Sequence, residues 1–307
     1  MLHFPKVIYM KKQLQGSISL LFAVLIWGST FVAQSLGMDH VGPFTFQAVR
    51  CAMGALCLLP VIYLFDRKKQ DGKNFITRFA DRKLLKAVFS CGIPLFLAAN
   101  LQQMGIVSTD AGKSAFLTAM YIVFVPIIGV FFRKKMSAVA VISVGIAVVG
   151  LYFLSCFGVT SINLGDILLL GCAVCFAVQI IFVDKYANDV DPLRLNCMQA
   201  AVCAVGSAII MLFTETPTLS GITSSWWAMC YAGILSMGIA YTLQIVGQKD
   251  VEPTLASLIM SLESVVAVLC GVIFLQETLT LWETIGCILV FTAVILSQIP
   301  IGTKVKK

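Results

Sequence analysis

Residues 258–277 read Leu-Ile-Met-Ser-Leu-Glu-Ser-Val-Val-Ala-Val-Leu-Cys-Gly-Val-Ile-Phe-Leu-Gln-Glu. The apolar run is long enough to cross a bilayer, yet Glu263 stands near its middle. A charge at that depth costs roughly 2.5–3.5 kcal/mol on insertion scales, so such residues face a bundle interior or a water-filled cavity. Residues 116–135 of the same chain form a distant copy of this stretch, with Tyr121 where Glu263 stands.

Composition agrees with a membrane reading. Of the 307 residues, 59% are hydrophobic and only 12% charged, and the mean hydropathy is +0.94. A soluble domain carries about a quarter charged residues. The net charge of +7 does not indicate a nucleic-acid partner, because the basic residues fall in short segments between apolar spans. Most of the eleven cysteines lie inside those spans, where they read as small packing residues; Cys172-x-x-Cys175 sits in an apolar helix and is not read as a redox or metal motif. The two histidines, His3 and His40, lie outside the spans, so no metal site is expected. Lys6, Lys11 and Lys12 before an apolar run imitate a signal peptide, but the run is long and other spans follow at once, so an uncleaved first helix is expected.

A spanning helix needs about 20 mostly apolar residues. Ten candidates are present, at 16–36, 43–65, 87–107, 111–132, 138–155, 165–183, 193–213, 227–247, 254–275 and 281–300. With the N-terminus inside, every Lys and Arg falls in an inside segment except Arg50 and Lys113, which lie within spans. The positive-inside rule therefore predicts ten crossings and two cytoplasmic termini. The order of elements also repeats. Gly16 to Arg50 aligns without gaps to Gly165 to Gln199, matching Pro43 to Pro192 and Gln47 to Asn196; Leu101 to Phe132 aligns to Leu243 to Phe274, matching Gln102 to Gln244 and Gly105 to Gly247. Five spans per copy is odd, so the second copy enters the membrane from the opposite side. The expected fold is all-α and integral to the membrane, with ten transmembrane helices as two inverted five-helix repeats. The expected divisions are a cytoplasmic segment 1–15, a first repeat 16–155, a second repeat 165–300 and a basic tail 301–307.

Inverted copies can exchange conformations and open a central site first to one side and then to the other. Glu263 reads as a protonatable or substrate-binding carboxylate, or as part of a structural ion pair or packing hydrogen bond. Arg50 shares a helix face with Gln47, a polar pair repeated as Gln199 and Asn196; it could bind a carboxylate or phosphate, or pair with a helix C-terminus or with Glu263. Lys113 could anchor substrate, snorkel to the headgroups or pair with Asp110. Asn100, Gln102, Gln103, Tyr241 and Gln244 need helix partners or a wet cavity. Trp27 shares a face with Thr30 and Gln34 at mid-span, away from the interfacial belt, and could line a pocket or pack in the core. Pro60, Pro94 and Pro126 lie inside first-half spans, with Ser236 and Gly238 opposite the Pro94 region, which makes the third, fourth and eighth spans hinge candidates. No Walker A loop, dinucleotide fingerprint or nucleophile elbow is present, so neither a cofactor nor ATP-driven pumping by this chain alone is expected.

The chain resembles an EamA-type member of the drug/metabolite transporter superfamily. The resemblance rests on Trp27-Gly28-Ser29-Thr30-Phe31, on Gln47-x-x-Arg50, and on Leu101-Gln102-x-x-Gly105 followed by Thr109-x-Ala111-x-Lys113-x-Ala115-Phe116-Leu117. Ser261-Leu262-Glu263-Ser264-Val265 with the later Glu277 and Gly286 completes it. Ser264 stands where the family often has proline, which survives only as Pro126 in the first copy, and Lys135 stands opposite Glu277. The resemblance implies a ten-helix basket that moves small organic solutes by alternating access. It puts Trp27, Gln102, Tyr121, Gln179, Gln244 and Glu263 near the substrate, and leaves Arg50 and Lys113 as further substrate-binding candidates. The expectation is a secondary transporter of the cytoplasmic membrane, exporting amino acids or similar metabolites, with proton coupling through Glu263. Its partners are a small-molecule substrate and the lipid bilayer; its oligomeric state is left open. Uptake or exchange of sugar-derived or phosphorylated metabolites is the alternative, and needs Arg50 and Lys113 both in the cavity. A lipid-processing membrane enzyme needs a His/Asp or Cys/His cluster at one membrane face, and the sequence has none.

Overall fold

The computed structural model describes residues 3–68, 74–131, 137–155, 162–275 and 280–297. Lys135 and Glu277, like several of the basic residues used for orientation, lie outside them. The described chain is helical, with no strand among the described residues. Eight helical spans are long and apolar enough to cross a membrane: Met10–Gly37, Pro43–Arg67, Arg82–Ile106, Ala111–Phe131, Leu164–Tyr186, Pro192–Thr214, Trp226–Gly247 and Pro253–Ile273. Ala138–Leu154 and Leu281–Ser297 are shorter apolar helices and supply the fifth and tenth elements. Two short helices, Phe75–Phe79 and Leu219–Ser224, lie in connections.

Local chemistry explains the boundaries. Pro43, Pro192 and Pro253 open the second, seventh and ninth spans at positions where a missing N–H costs nothing. Asn163 and Asp166 form a capping box at the start of the sixth span. Asp81 accepts hydrogen bonds from the Lys83 and Leu84 amides, so the third span begins at Arg82, earlier than its apolar run suggests.

The distribution of side chains is that of a membrane bundle. Large apolar residues such as Phe22, Leu25, Phe89, Phe213 and Ile273 point outward. Gln47, Gln103, Asn196 and Gln199 are fully buried between helices, where hydrogen bonds or a wet cavity can satisfy them.

The inverted repeat is visible in contacts that occur twice. Gly105 of the third span crosses Gly165 of the sixth so closely that a Cβ on Gly165 would lie 2.8 Å from the Gly105 carbonyl oxygen. Their repeat counterparts, Gly247 and Gly16, cross at the other face of the bundle, where a Cβ on Gly247 would lie 2.8 Å from the Gly16 oxygen. Leu169 packs on Gly105 as its counterpart Leu20 packs on Gly247. The second and seventh spans are tied at both ends by equivalent acids. Asp66, at the end of the second, pairs with Arg194 near the start of the seventh. Glu215, just after the seventh, accepts hydrogen bonds from the Phe44 amide at 2.9 Å and the Thr45 amide and hydroxyl at 2.8 and 2.6 Å, at the start of the second. A carboxylate at a helix N-terminus is favoured by the helix dipole.

Three spans are interrupted near mid-height. The fourth breaks at Met120 into Ala111–Ala119 and Tyr121–Phe131. The ninth breaks at the matching place, Ser261 and Leu262, into Pro253–Met260 and Glu263–Leu275. The eighth contains a π-helix, Tyr231–Ala240. The third stays a single helix through Pro94.

Candidate functional site

The breaks in the fourth and ninth spans place one polar residue each at the start of the second half-helix: Tyr121 in one copy, Glu263 in the other. The Tyr121 hydroxyl donates to Glu263 Oε1 at 2.9 Å. These two residues are repeat equivalents, and equivalents that touch lie on the pseudo-two-fold axis. Ser264 Oγ donates to the Ala115 carbonyl at 3.0 Å and joins the two broken helices one residue further on. Interrupted helices at mid-membrane are tolerated where the backbone is buried in protein or lines a cavity.

A cavity with an empty volume of about 470 Å³, its mouth included, opens beside this pair. The first span lines it with Trp27, Thr30, Phe31 and Gln34, the eighth with Ser236, Tyr241 and Gln244, and the ninth with Met260 and Glu263. Arg50, Gln102, Thr118, Tyr121, Phe176 and Ile180 complete the wall. One side is apolar and aromatic, with Trp27 and Tyr241 edge to face at 5.0 Å between centroids. The other is polar. Arg50 Nη1 donates to Gln34 Oε1, and Gln102 donates to Thr118 at 3.3 Å.

Arg50 and Glu263 are 2% and 5% exposed, and neither has an ion-pair partner among the described residues. Trp27 Nε1, Arg50 Nε and Gln244 Oε1 are buried without a hydrogen-bond partner among the described residues. Buried polar atoms are ordinarily satisfied. A cavity wall with unpartnered donors, a separate guanidinium and a separate carboxylate can hold a small polar solute at two charged ends and exclude it from the apolar side.

The structure brings Trp27, Arg50, Gln102, Tyr121, Gln244 and Glu263 to this one cavity. Gln179 stands behind the wall and accepts from Gln244 Nε2 at 3.1 Å. Lys113 lies elsewhere, with its ammonium 2.6 Å from Asp166 Oδ2. Of its expected roles, substrate anchor, snorkelling or pairing with Asp110, the ionic one is met by a different acid: Asp166 arrives from the next repeat, which the sequence order hides. Sequence reasoning missed Phe31, Thr118, Phe176, Ile180, Ser236 and Met260 as wall residues, because a hydroxyl, an aliphatic chain or a phenyl ring in an apolar helix carries no signal of which way it points. Gln34 was legible as a polar residue on the Trp27 face of the first span, and its partnership with Arg50 was not. The ten described cysteines are free, including Cys172 and Cys175, and no metal-ligating group of side chains occurs among the described residues.

Comparison with known proteins agrees with this arrangement. The EamA-like transporter family matches residues 14–156 and again 163–298. An uncharacterized transporter of Archaeoglobus fulgidus is 32% identical over 93% of this chain and 86% of its own length. The threonine/homoserine exporter RhtA of Escherichia coli is 28% identical over 83% of this chain and 81% of its own. The uncharacterized transporter YoaV of Bacillus subtilis is 23% identical over 92% of this chain and 94% of its own length. A solved crystal structure superposes with a TM-score of 0.76 at 16% identity, covering 92% of this chain and 96% of that one, a likeness of fold.

Proposed function

The chain belongs to the EamA-like transporter family, and we propose that it exports small zwitterionic metabolites, amino acids foremost, across the cytoplasmic membrane by alternating access. The observation that carries this reading is the pair of separated charges in one cavity. Arg50, oriented by Gln34, is a buried cation without a counter-ion among the described residues, and a substrate carboxylate would supply one. Glu263, held by Tyr121, would receive the ammonium. The kinship to a threonine/homoserine exporter supports the same class. In this reading both termini are cytoplasmic, and Glu263 exchanges a proton for the substrate ammonium, which couples export to proton entry. A phosphorylated substrate is less well served: it needs a second cation beside Arg50, and Lys113 is paired with Asp166.

The test is binding to purified protein, with L-threonine, L-homoserine, organic acids and sugar phosphates as probes, read as ligand-induced thermal stabilisation. A ligand that binds only the folded state raises its stability by about 2.7 kcal/mol at a hundredfold excess over Kd. An amino acid is expected to stabilise the unaltered protein and to lose that effect with Glu263→Gln or Arg50→Gln. Stabilisation by sugar phosphates alone, or an amino-acid effect retained in both variants, would overturn the assignment.

A further inference from the structure

Helix winding in the eighth span decides which of its side chains reach the cavity. In an α-helix, residues five apart point about 140° away from each other, since each residue turns about 100°. Ser236 and Tyr241 are five apart and both line the cavity. They share a wall because the segment between them is wound as a π-helix, with the Tyr241 amide bonded back to the Ser236 carbonyl. The first repeat shows the alternative. Its equivalent positions, Pro94 and Ala99, sit on an α-helix and neither lines the cavity; only Gln102, the counterpart of Gln244, does.

π-Helices are rare, mostly single-turn and concentrated at functional sites. Where i→i−5 pairing returns to i→i−4, one carbonyl is skipped and left without a backbone donor. Here the return follows Tyr241, and the skipped carbonyl is that of Met237. Asn196 of the seventh span fills the vacancy. Its side-chain amide nitrogen lies 2.8 Å from the Met237 carbonyl oxygen, 2.9 Å from the Gly238 carbonyl oxygen and 2.9 Å from Thr242 Oγ1, three acceptors sharing two N–H groups. Its oxygen accepts from Gln199 at 3.0 Å, and the Thr242 hydroxyl donates to Gly238 at 2.7 Å. Asn196 is completely buried. Its repeat counterpart, Gln47, bonds instead to Cys51 and Cys203 and leaves the third span α-helical.

We propose that Asn196 is a positioning residue: it holds the eighth span in the π register that presents Ser236 and Tyr241 together to the transported solute. The inference rests on the cavity being the solute site, and it concerns geometry whichever solute is carried. Without Asn196 the Met237 carbonyl is a buried acceptor with no partner, and rewinding to α-helix becomes the cheaper way to satisfy it. Rewinding turns Tyr241 away from Trp27.

The test uses full-length protein in liposomes with its native cysteines kept. Ser236→Cys and Tyr241→Cys are each treated with a small charged methanethiosulfonate, and modification at the introduced residue is quantified by peptide mass spectrometry. Both positions are expected to react. With Asn196→Leu added, reaction at position 241 is expected to fall about tenfold relative to 236, as the π register becomes a minor state of about a tenth. L-Threonine transport by Asn196→Leu with no introduced cysteine is expected to show a raised KM with Vmax little changed. An unchanged 241-to-236 ratio, or a loss of Vmax alone, would overturn the proposal. If Asn196→Leu gives no monodisperse protein, Thr242→Val is read in the same way: a partial fall at 241 supports the proposal and an unchanged ratio overturns it. Absence of threonine transport by the unaltered protein would fail the amino-acid reading and leave the labelling result standing.

Discussion

Gly105 meets Gly165 at one face of the bundle as Gly247 meets Gly16 at the other, but the side chains beside these two crossings differ. At the first, Lys113 pairs with Asp166, whose other oxygen accepts from Thr109 at 3.3 Å, and Asn163 donates to the Ser108 carbonyl at 2.8 Å. The positions equivalent to Thr109, Lys113, Asn163 and Asp166 are Val251, Leu255, Leu14 and Ser17. Val251 is buried and Ser17 Oγ has no hydrogen-bond partner among the described residues. The repeat thus supplies both faces with the same backbone crossing, and the Lys113–Asp166 pair adds a charged latch at the first but has no counterpart at the equivalent positions of the second. Separating the helices at the first crossing would break the Lys113–Asp166 ion pair; at the second, no ion pair joins the first and eighth spans among the described residues.

The largest effect should come from breaking the latch on one side only. Lys113→Met leaves Asp166, 5% exposed, as a buried charge without its lysine. Stranding one member of a buried pair costs about 3–5 kcal/mol; thermal unfolding in detergent should show a large fall in Tm. The double variant Lys113→Met with Asp166→Leu should recover most of it, since an apolar pair of similar volume often replaces a buried ion pair without loss. A double variant as unstable as the single would mean that Asp166 matters through the capping box rather than through the lysine.

Next in size are the crossings themselves. Gly105→Val and Gly247→Val each force side-chain atoms against backbone, so overpacking of about 1–3 kcal/mol is expected. The losses should be similar at the two faces, because the crossing is what the repeat shares. A clear excess at the latched face would show that the ion pair depends on the crossing and is not an independent addition.

The smallest effect is Ser17→Ala. Its hydroxyl is buried without a partner among the described residues, so removing it should leave Tm unchanged or raise it slightly, by less than about 1 kcal/mol in stability. A marked loss would place an unseen polar partner at the apolar face and weaken the contrast.

Much of this architecture was legible in residue order. Ten apolar stretches, an odd number per copy, and gapless pairs such as Gly16 with Gly165 and Gly105 with Gly247 were enough to reach an inverted ten-helix bundle. Glu263 was conspicuous because a carboxylate in an apolar run is expensive. The partner of Lys113 was not legible, because Asp166 lies in the other repeat and a closer acid, Asp110, competes for the assignment. Nor was the freedom of Arg50 from an ionic partner among the described residues, since whether a guanidinium and a carboxylate on different spans meet depends on helix rotation.

The sequence by itself determined that this chain enters a membrane and how many times it crosses, because insertion depends on the composition, length and placement of apolar runs, and the internal repeat with an odd number of spans made its halves inverted. Only the tertiary structure decided which polar groups share the cavity. That depends on where helices break and how they wind: the interruptions at Met120 and Ser261 bring Tyr121 onto Glu263, and the π segment from Tyr231 turns Tyr241 toward Trp27. Such choices are made by contacts between spans distant in sequence, such as Asn196 with Met237, which no local periodicity records.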